Sequence, residues 1–164
     1  MDVNEVFAAY DGDLIHRQQA IFASLFVLQN RLQTAGEKIQ TEISMKQWLL
    51  LAMIEACPKP RTLTRIGSLM GCSRQNVKKL AAALEKKGFV RLTEGQNHSI
   101  CLETTTKADQ YLQEMSERHL QTLQLLFSKF SQAEVEALFV LYQKLFAGME
   151  DVEQYAKTLA DHKA

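Results

Sequence analysis

A mainly α-helical chain carrying one small β-hairpin is the fold class that three features of this sequence predict. Long segments with apolar residues at helical spacing stand near both ends. Between them lies a tight pair of amphipathic segments joined through Gly71, and a single stretch of period-two alternation comes after Gly88. With 164 residues the chain has room for one domain, or for a small domain with long helical extensions.

Residues 1–12 form a short irregular or helical lead that breaks at Asp11-Gly12. From Asp13 to Ala35 one long helix is expected, with Leu14, Ile21, Leu25, Leu28 and Leu32 in register and Phe22, Phe26 and Val27 widening the stripe. So wide an apolar face exceeds what one packed neighbour needs and suggests a helix set between the domain and a second subunit. Gly36 is expected to end it. Ser44 to Gln47 is a capping box that opens the apolar helix WLLLAMIEA, which stops before Pro58. Pro58-Lys59-Pro60-Arg61 reads as a stiff connector.

Thr62 can cap the next helix, whose apolar face is Leu63, Ile66, Leu69 and Met70. Gly71 supplies a left-handed residue to end it, and Ser73 caps a second helix. There Val77, Leu80, Ala81 and Leu84 face inward, which leaves Arg74, Gln75, Lys78, Lys79, Glu85 and Lys86 outside until Gly88 stops the helix. A pair of this kind also occurs in ordinary helical proteins, where the charges only keep the surface wet. The residues after Gly88 distinguish the two cases. Phe89–Thr93 and Ser99–Glu103 alternate around the polar turn Glu94–His98, and that is a β-hairpin. Helix, turn, helix and hairpin make a winged helix-turn-helix. A second long helix is expected from Thr106 to Phe130, with Ala108, Leu112, Met115, Leu123, Leu126 and Phe127 inward. The capping box Ser131 to Glu134 starts a last helix, rich in Val135, Leu138, Phe139, Tyr142, Leu145, Phe146 and Met149, which runs to about Leu159 with a break point near Gly148. The predicted organisation is therefore 1–43 as lead and N-terminal dimerisation helix, 44–105 as the winged helix-turn-helix, and 106–164 as C-terminal helices.

Composition narrows the function classes. The formal net charge is zero, yet the stretch from Arg61 to Lys107 holds nine basic residues (Arg61, Arg65, Arg74, Lys78, Lys79, Lys86, Lys87, Arg91 and Lys107) against Glu85, Glu94 and Glu103. That segment is net +6 and the remainder −6, an asymmetry suited to a nucleic-acid-binding module. No uncharged apolar run approaches membrane-spanning length, and the acidic start MDVNEVFAAYDGD lacks the features of a secretory signal, so a cytoplasmic protein is expected. Cys57, Cys72 and Cys101 are odd in number and widely spaced, with no metal-ligand spacing. His16, His98, His119 and His162 are scattered, and no catalytic order, phosphate loop or carboxylate pair stands out. Neither an enzyme nor a bound cofactor is expected.

The chain resembles the MarR family of bacterial winged-helix transcriptional regulators across roughly residues 13–150. The resemblance rests on ISMKQWLLLAMI, TLTRIGSLMGCSRQNVKKLAAALEKKGFV and SQAEVEALFVLYQKL, most specifically on Ser73 to Val77 and Leu84 to Val90. It implies a homodimer joined through the first and last helices, with each recognition helix in the major groove of double-stranded DNA and each wing at the flanking minor groove. Arg74, Gln75 and Lys78 then reach base edges, since Arg and Lys match guanine and Gln matches adenine. Ser73, Asn76, Lys79 and Arg65 hold phosphates. Arg91, Asn97 and His98 lie on the wing. The wing departs from the family, whose members carry arginine at the tip and a Leu-Thr-x-x-Gly run after it. Here the tip reads Gln96-Asn97-His98-Ser99, with His98 nearest the missing arginine, and the run reads Thr104-Thr105-Thr106-Lys107-Ala108. Its absence implies a salt dependence flatter by about one charge per wing.

The resemblance also implies a small aromatic or amphipathic ligand between the dimer helices and the winged helix, near His16, Arg17, Met45, Trp48 and Met53. Plain core packing is the favoured account of Trp48 and both methionines, and a helix surface that of His16 and Arg17. The alternative function is a winged-helix dimer with weakened DNA binding that serves protein interaction or ligand sensing.

Overall fold

The computed structural model describes residues 3–10 and 12–161; Asp11 and His162, named above, lie outside the described residues. The elements are α1 (Val3–Ala9), α2 (Leu14–Ile39), α3 (Met45–Ala56), α4 (Leu63–Leu69), α5 (Arg74–Lys86), β1 (Val90–Glu94), β2 (Ile100–Thr104), α6 (Thr106–Glu114), α7 (Ser116–Leu126) and α8 (Gln132–Asp161). They fall into two compact units, Met1–Ser116 and Glu117–Ala164.

In the first unit the expected caps form. Ser44 Oγ accepts from Gln47 N, and Gln47 Oε1 accepts from Ser44 N at 3.0 Å. Thr62 and Ser73 cap α4 and α5 by accepting from Arg65 N and Asn76 N, each at 3.2 Å. Gly71 (φ +62°) and Gly88 (φ +80°) take the left-handed conformation that ends each helix, where a side chain would be strained. Between these ends the apolar rows close on one core. Leu50, Leu51, Ile54 and Cys57 come from α3, and Leu63 and Ile66 from α4. Val77, Ala81 and Leu84 come from α5, and Phe89, Val90 and Leu102 from the hairpin, with Ala108, Tyr111 and Met115 closing the far side. Leu69 is an exception to the predicted face. It stands 55% exposed while Leu63 and Ile66 are sealed, because the helix turns its last residue off the core.

The hairpin pairs antiparallel in the register Val90↔Thr104, Leu92↔Leu102 and Glu94↔Ile100, one residue later at each end than the alternation suggested. Its outer edge is not free. Leu102 N donates to Arg61 O at 2.9 Å, and Thr62 forms an isolated bridge to Cys101, so the end of the connector covers part of β2.

Two helix limits here differ from expectation. Gly36 does not end α2, which continues to Ile39, with Gln40 N bonded to Gly36 O. A Cβ at Gly36 would stand 2.5 Å from Met45 Sδ, so this glycine lets α2 and α3 approach. The single helix expected over 106–130 is two, divided at Met115. Ser116 Oγ donates to Gln113 O at 2.7 Å beside the division, a bond of a kind that Ser24 and Thr122 also make inside unbroken helices. α6 accordingly packs in the core, whereas Leu123 and Leu126, expected to face inward, are exposed on α7.

In the second unit α8 runs unbroken past Gly148, where a Cβ would meet nothing. Its start is the predicted capping box: Glu134 accepts from Ser131 N at 2.7 Å and Ser131 Oγ at 2.8 Å. These bonds, the backbone one foremost, hold the Glu134 carboxyl below its ordinary value. Nearly the whole apolar content of α8 is exposed, including Phe139 at 64% and Phe146 at 69%.

Candidate nucleic-acid interface

α5 is held by its buried row against α3 and α4, and its other faces meet solvent. Arg74, Gln75, Asn76, Lys78 and Lys79 are all exposed. Ser73 caps the helix with its oxygen and keeps its hydroxyl hydrogen available to donate. Arg65 stands exposed on α4. Among the described residues Arg65, Arg74, Lys78, Lys79 and Lys86 make no ion pair, so five cations on α4 and α5 remain uncompensated by protein charge.

The other cations counted in this segment are occupied. Arg61 Nε donates to Cys57 O at 3.1 Å and its guanidinium lies 3.7 Å from Glu55, while Lys87 Nζ donates to Glu42 O at 2.6 Å. Lys107 pairs with Glu42 at 3.0 Å. Arg91 sits opposite Glu103 across the hairpin, 3.9 Å away, an exposed cross-strand pair of small energy.

The wing tip is a tight turn. Gly95 N donates to Ser99 O at 2.7 Å, and Asn97 (φ 53°) and His98 (φ 55°) both adopt left-handed backbone, a conformation asparagine tolerates and histidine less readily. His98 is 95% exposed at its side chain, and Nδ1 lies 3.1 Å from Glu94 Oε1. The tip therefore presents a carboxylate beside the imidazole, a poorer match to phosphate than an arginine would be.

Two residues that position this surface went unnoticed in the sequence. Glu85 Oε1 accepts from Leu92 N at 2.9 Å, tying the end of α5 to β1, and Glu55 Oε1 accepts from Thr104 Oγ1 at 2.8 Å, tying β2 to α3. A carboxylate in the last turn of a helix opposes the helix dipole, so Glu85 carried a signal that something else held it.

The residues named for a ligand do not converge within one chain. His16 bonds to Asp13, the cap of α2, at 2.9 Å, and the backbone bond from His16 holds the Asp13 carboxyl below its ordinary value. Arg17 lines an open hollow of about 400 Å³ with Phe7, Tyr10 and Ile21. Met45 lies against Gly36, twenty residues along α2 from His16, about 30 Å at the usual helical rise. Trp48 and Met53 are half-buried against the core. Among the described residues no cluster of three or more His, Cys, Asp or Glu is placed to hold a metal ion, and no described helix is long and apolar enough to cross a membrane.

The fold recurs in solved proteins. A MarR/EmrR family transcriptional regulator from Acinetobacter sp. ADP1 superposes with a TM-score of 0.73 at 17% identity, over 82% of this chain and 97% of that one. The chain has the MarR-type winged-helix fold. The same fold is seen in S. aureus MepR, solved as a DNA complex (TM-score 0.66, 18% identity, 78% of this chain and 96% of that one). It is seen again in S. aureus MarR with salicylate and kanamycin (TM-score 0.69, 18% identity, 82% and 93%). In sequence the chain is 29% identical over 93 residues, 56% of its length, to the transcriptional repressor MprA of Escherichia coli. It spans about half the length of that relative, 53%. No family model matches the chain.

Proposed function

We propose that the protein is a dimeric, DNA-binding transcriptional regulator of MarR type that acts in the cytoplasm. The observation that carries this reading is the outer face of α5, where Arg74, Gln75, Lys78 and Lys79 stand exposed and without ion pairs beside a hairpin. A rod of this width and charge fits the major groove, and its side chains match base edges and phosphates. The charge term alone gives salt-sensitive affinity for any duplex. A gel-shift series on random-sequence duplex at falling salt tests it, with shifted species expected at low salt and lost as salt rises. A protein that shifts no duplex at any salt would overturn the reading.

Dimerisation through α2 and the C-terminal helices is part of the proposal. The exposed Leu14, Phe22 and Phe26 of α2, and Phe139, Phe146 and Tyr155 of α8, are apolar surface of a kind that partners cover. Two recognition helices carried by one dimer would meet successive turns of a pseudo-palindromic site.

The reading extends to modulation by a small aromatic or amphipathic ligand, supported by the ligand that a protein of the same fold holds. The geometry adds a condition: His16 is too far along α2 from Met45 for the two to share one small molecule within a chain. Thermal scans against a panel of phenolic acids should raise the melting temperature for at least one compound, as binding to the folded state requires. A flat response across the panel counts against a preformed pocket.

A further inference from the structure

We infer that Gln40–Glu42, the first three residues of the link between α2 and α3, form a latch that fixes the C-terminal end of α5, with Lys107 and Tyr111 as its positioning residues. The inference deepens the DNA-binding reading and rests on it for the role of α5 alone. On one side of the link, α6 lays three consecutive turns of one face along it. Lys107 Nζ lies 3.0 Å from Glu42 Oε2. One turn on, Tyr111 OH donates to Gln40 Oε1 at 2.7 Å, a buried bond, and accepts from Thr41 N at 3.4 Å. At the next turn Thr41 Oγ1 approaches Met115 Sδ at 4.0 Å.

On the other side the link grips the end of α5. Lys87 Nζ donates to Glu42 O at 2.6 Å, and Lys107 Nζ donates to Lys87 O at 3.1 Å while standing 4.5 Å from the centre of the Phe89 ring. Lys107 thus sits between the Glu42 carboxylate, a carbonyl at the end of α5 and an aromatic face. An ammonium group has three donors and suits the negative end of a helix. Thr105 Oγ1 completes the cover by donating to Gly88 O at 2.6 Å.

Magnitude separates positioning from bulk stability. The Lys107–Glu42 pair is about half exposed on both sides, and such pairs add little to folding. The partners of Lys107 lie on two segments, Glu42 on the link and Lys87 and Phe89 at the junction of α5 and β1, so its loss releases the end of α5 while the core beneath stays packed. A displacement of α2 or of α6 reaches α5 through the same atoms.

The test uses the full-length protein as Glu42→Gln, Lys107→Met, the double variant and Lys107→Arg. In the free protein, amide hydrogen exchange at Gly88 and Phe89, which bond to Glu85 O and Leu84 O, should quicken by about fivefold in each single variant and no further in the double. Lys107→Arg should restore the parent rate. Affinity for duplex DNA should fall by about fivefold with an unchanged salt slope, since no phosphate contact is lost. Unchanged exchange, or single effects that multiply in the double variant, overturns the latch. A salt slope flattened by about one charge in Lys107→Met does so too, by making Lys107 a phosphate ligand. If the parent protein binds no duplex, the DNA reading falls and the exchange data alone decide the latch.

Discussion

Replacing Arg74 with alanine is expected to cost about 1–3 kcal/mol at one base position, and to relax specificity there while other positions are read as before. Arg74 is the first residue of α5, set outward by the Ser73 cap and by Val77 and Ala81 turned into the core. Its guanidinium has no ion-pair partner among the described residues, so its donor fork is available to a guanine edge. Lys79→Ala supplies the contrast. A point charge on a phosphate carries no sequence information, so its loss should weaken binding evenly and flatten the salt slope by about 0.9. Fluorescence anisotropy on duplexes with single base-pair changes, across a salt series, resolves the two. If Arg74→Ala binds every sequence as its parent does, Arg74 reads no base.

The local chemistry of helix ends was legible in the sequence. Ser44, Thr62, Ser73 and Ser131 are oxygen-bearing caps whose partners lie three residues on, and Gly71 and Gly88 mark left-handed stops, so each is decided within one turn of chain. Features that depend on distant partners were not legible. Gly36 reads as a stop until Met45 is known to press on it. The helical period passes through Met115 without a fault, so the division there leaves no mark in the pattern. The exposed face of α5 could be read because four inward residues fix it, whereas the tethering of Lys87 and Lys107 could not. Their partner Glu42 lies 45 and 65 positions away in the chain. The ligand residues were hardest, since nothing in the pattern shows that Met45 of α3 lies against Gly36, at the far end of α2 from His16.

Phe89→Ala is expected to carry the largest loss of stability, about 3–5 kcal/mol, the range for truncating a fully buried phenylalanine. Phe89 is completely buried at the point where α5 becomes β1. Its ring meets Tyr111 edge-on at 5.4 Å, a contact that adds about 0.5–1.5 kcal/mol beyond the area it buries. The lost ring also removes the face beneath Lys107, although the Phe89 carbonyl keeps its bonds from Thr105 N at 3.1 Å and Thr105 Oγ1 at 3.2 Å. Leu69→Ala makes the control, because a leucine already more than half exposed has little burial to lose and should stay within about 0.5 kcal/mol of the parent. Trp48 is the single tryptophan and packs against the same core, so its fluorescence reports urea unfolding of that unit directly. The Phe89→Ala midpoint should fall by more than about 1 M at an unchanged slope. A shift no larger than that of Leu69→Ala would mean that the junction of α5 and β1 is held by its backbone bonds, and that the ring beneath Lys107 contributes little to either.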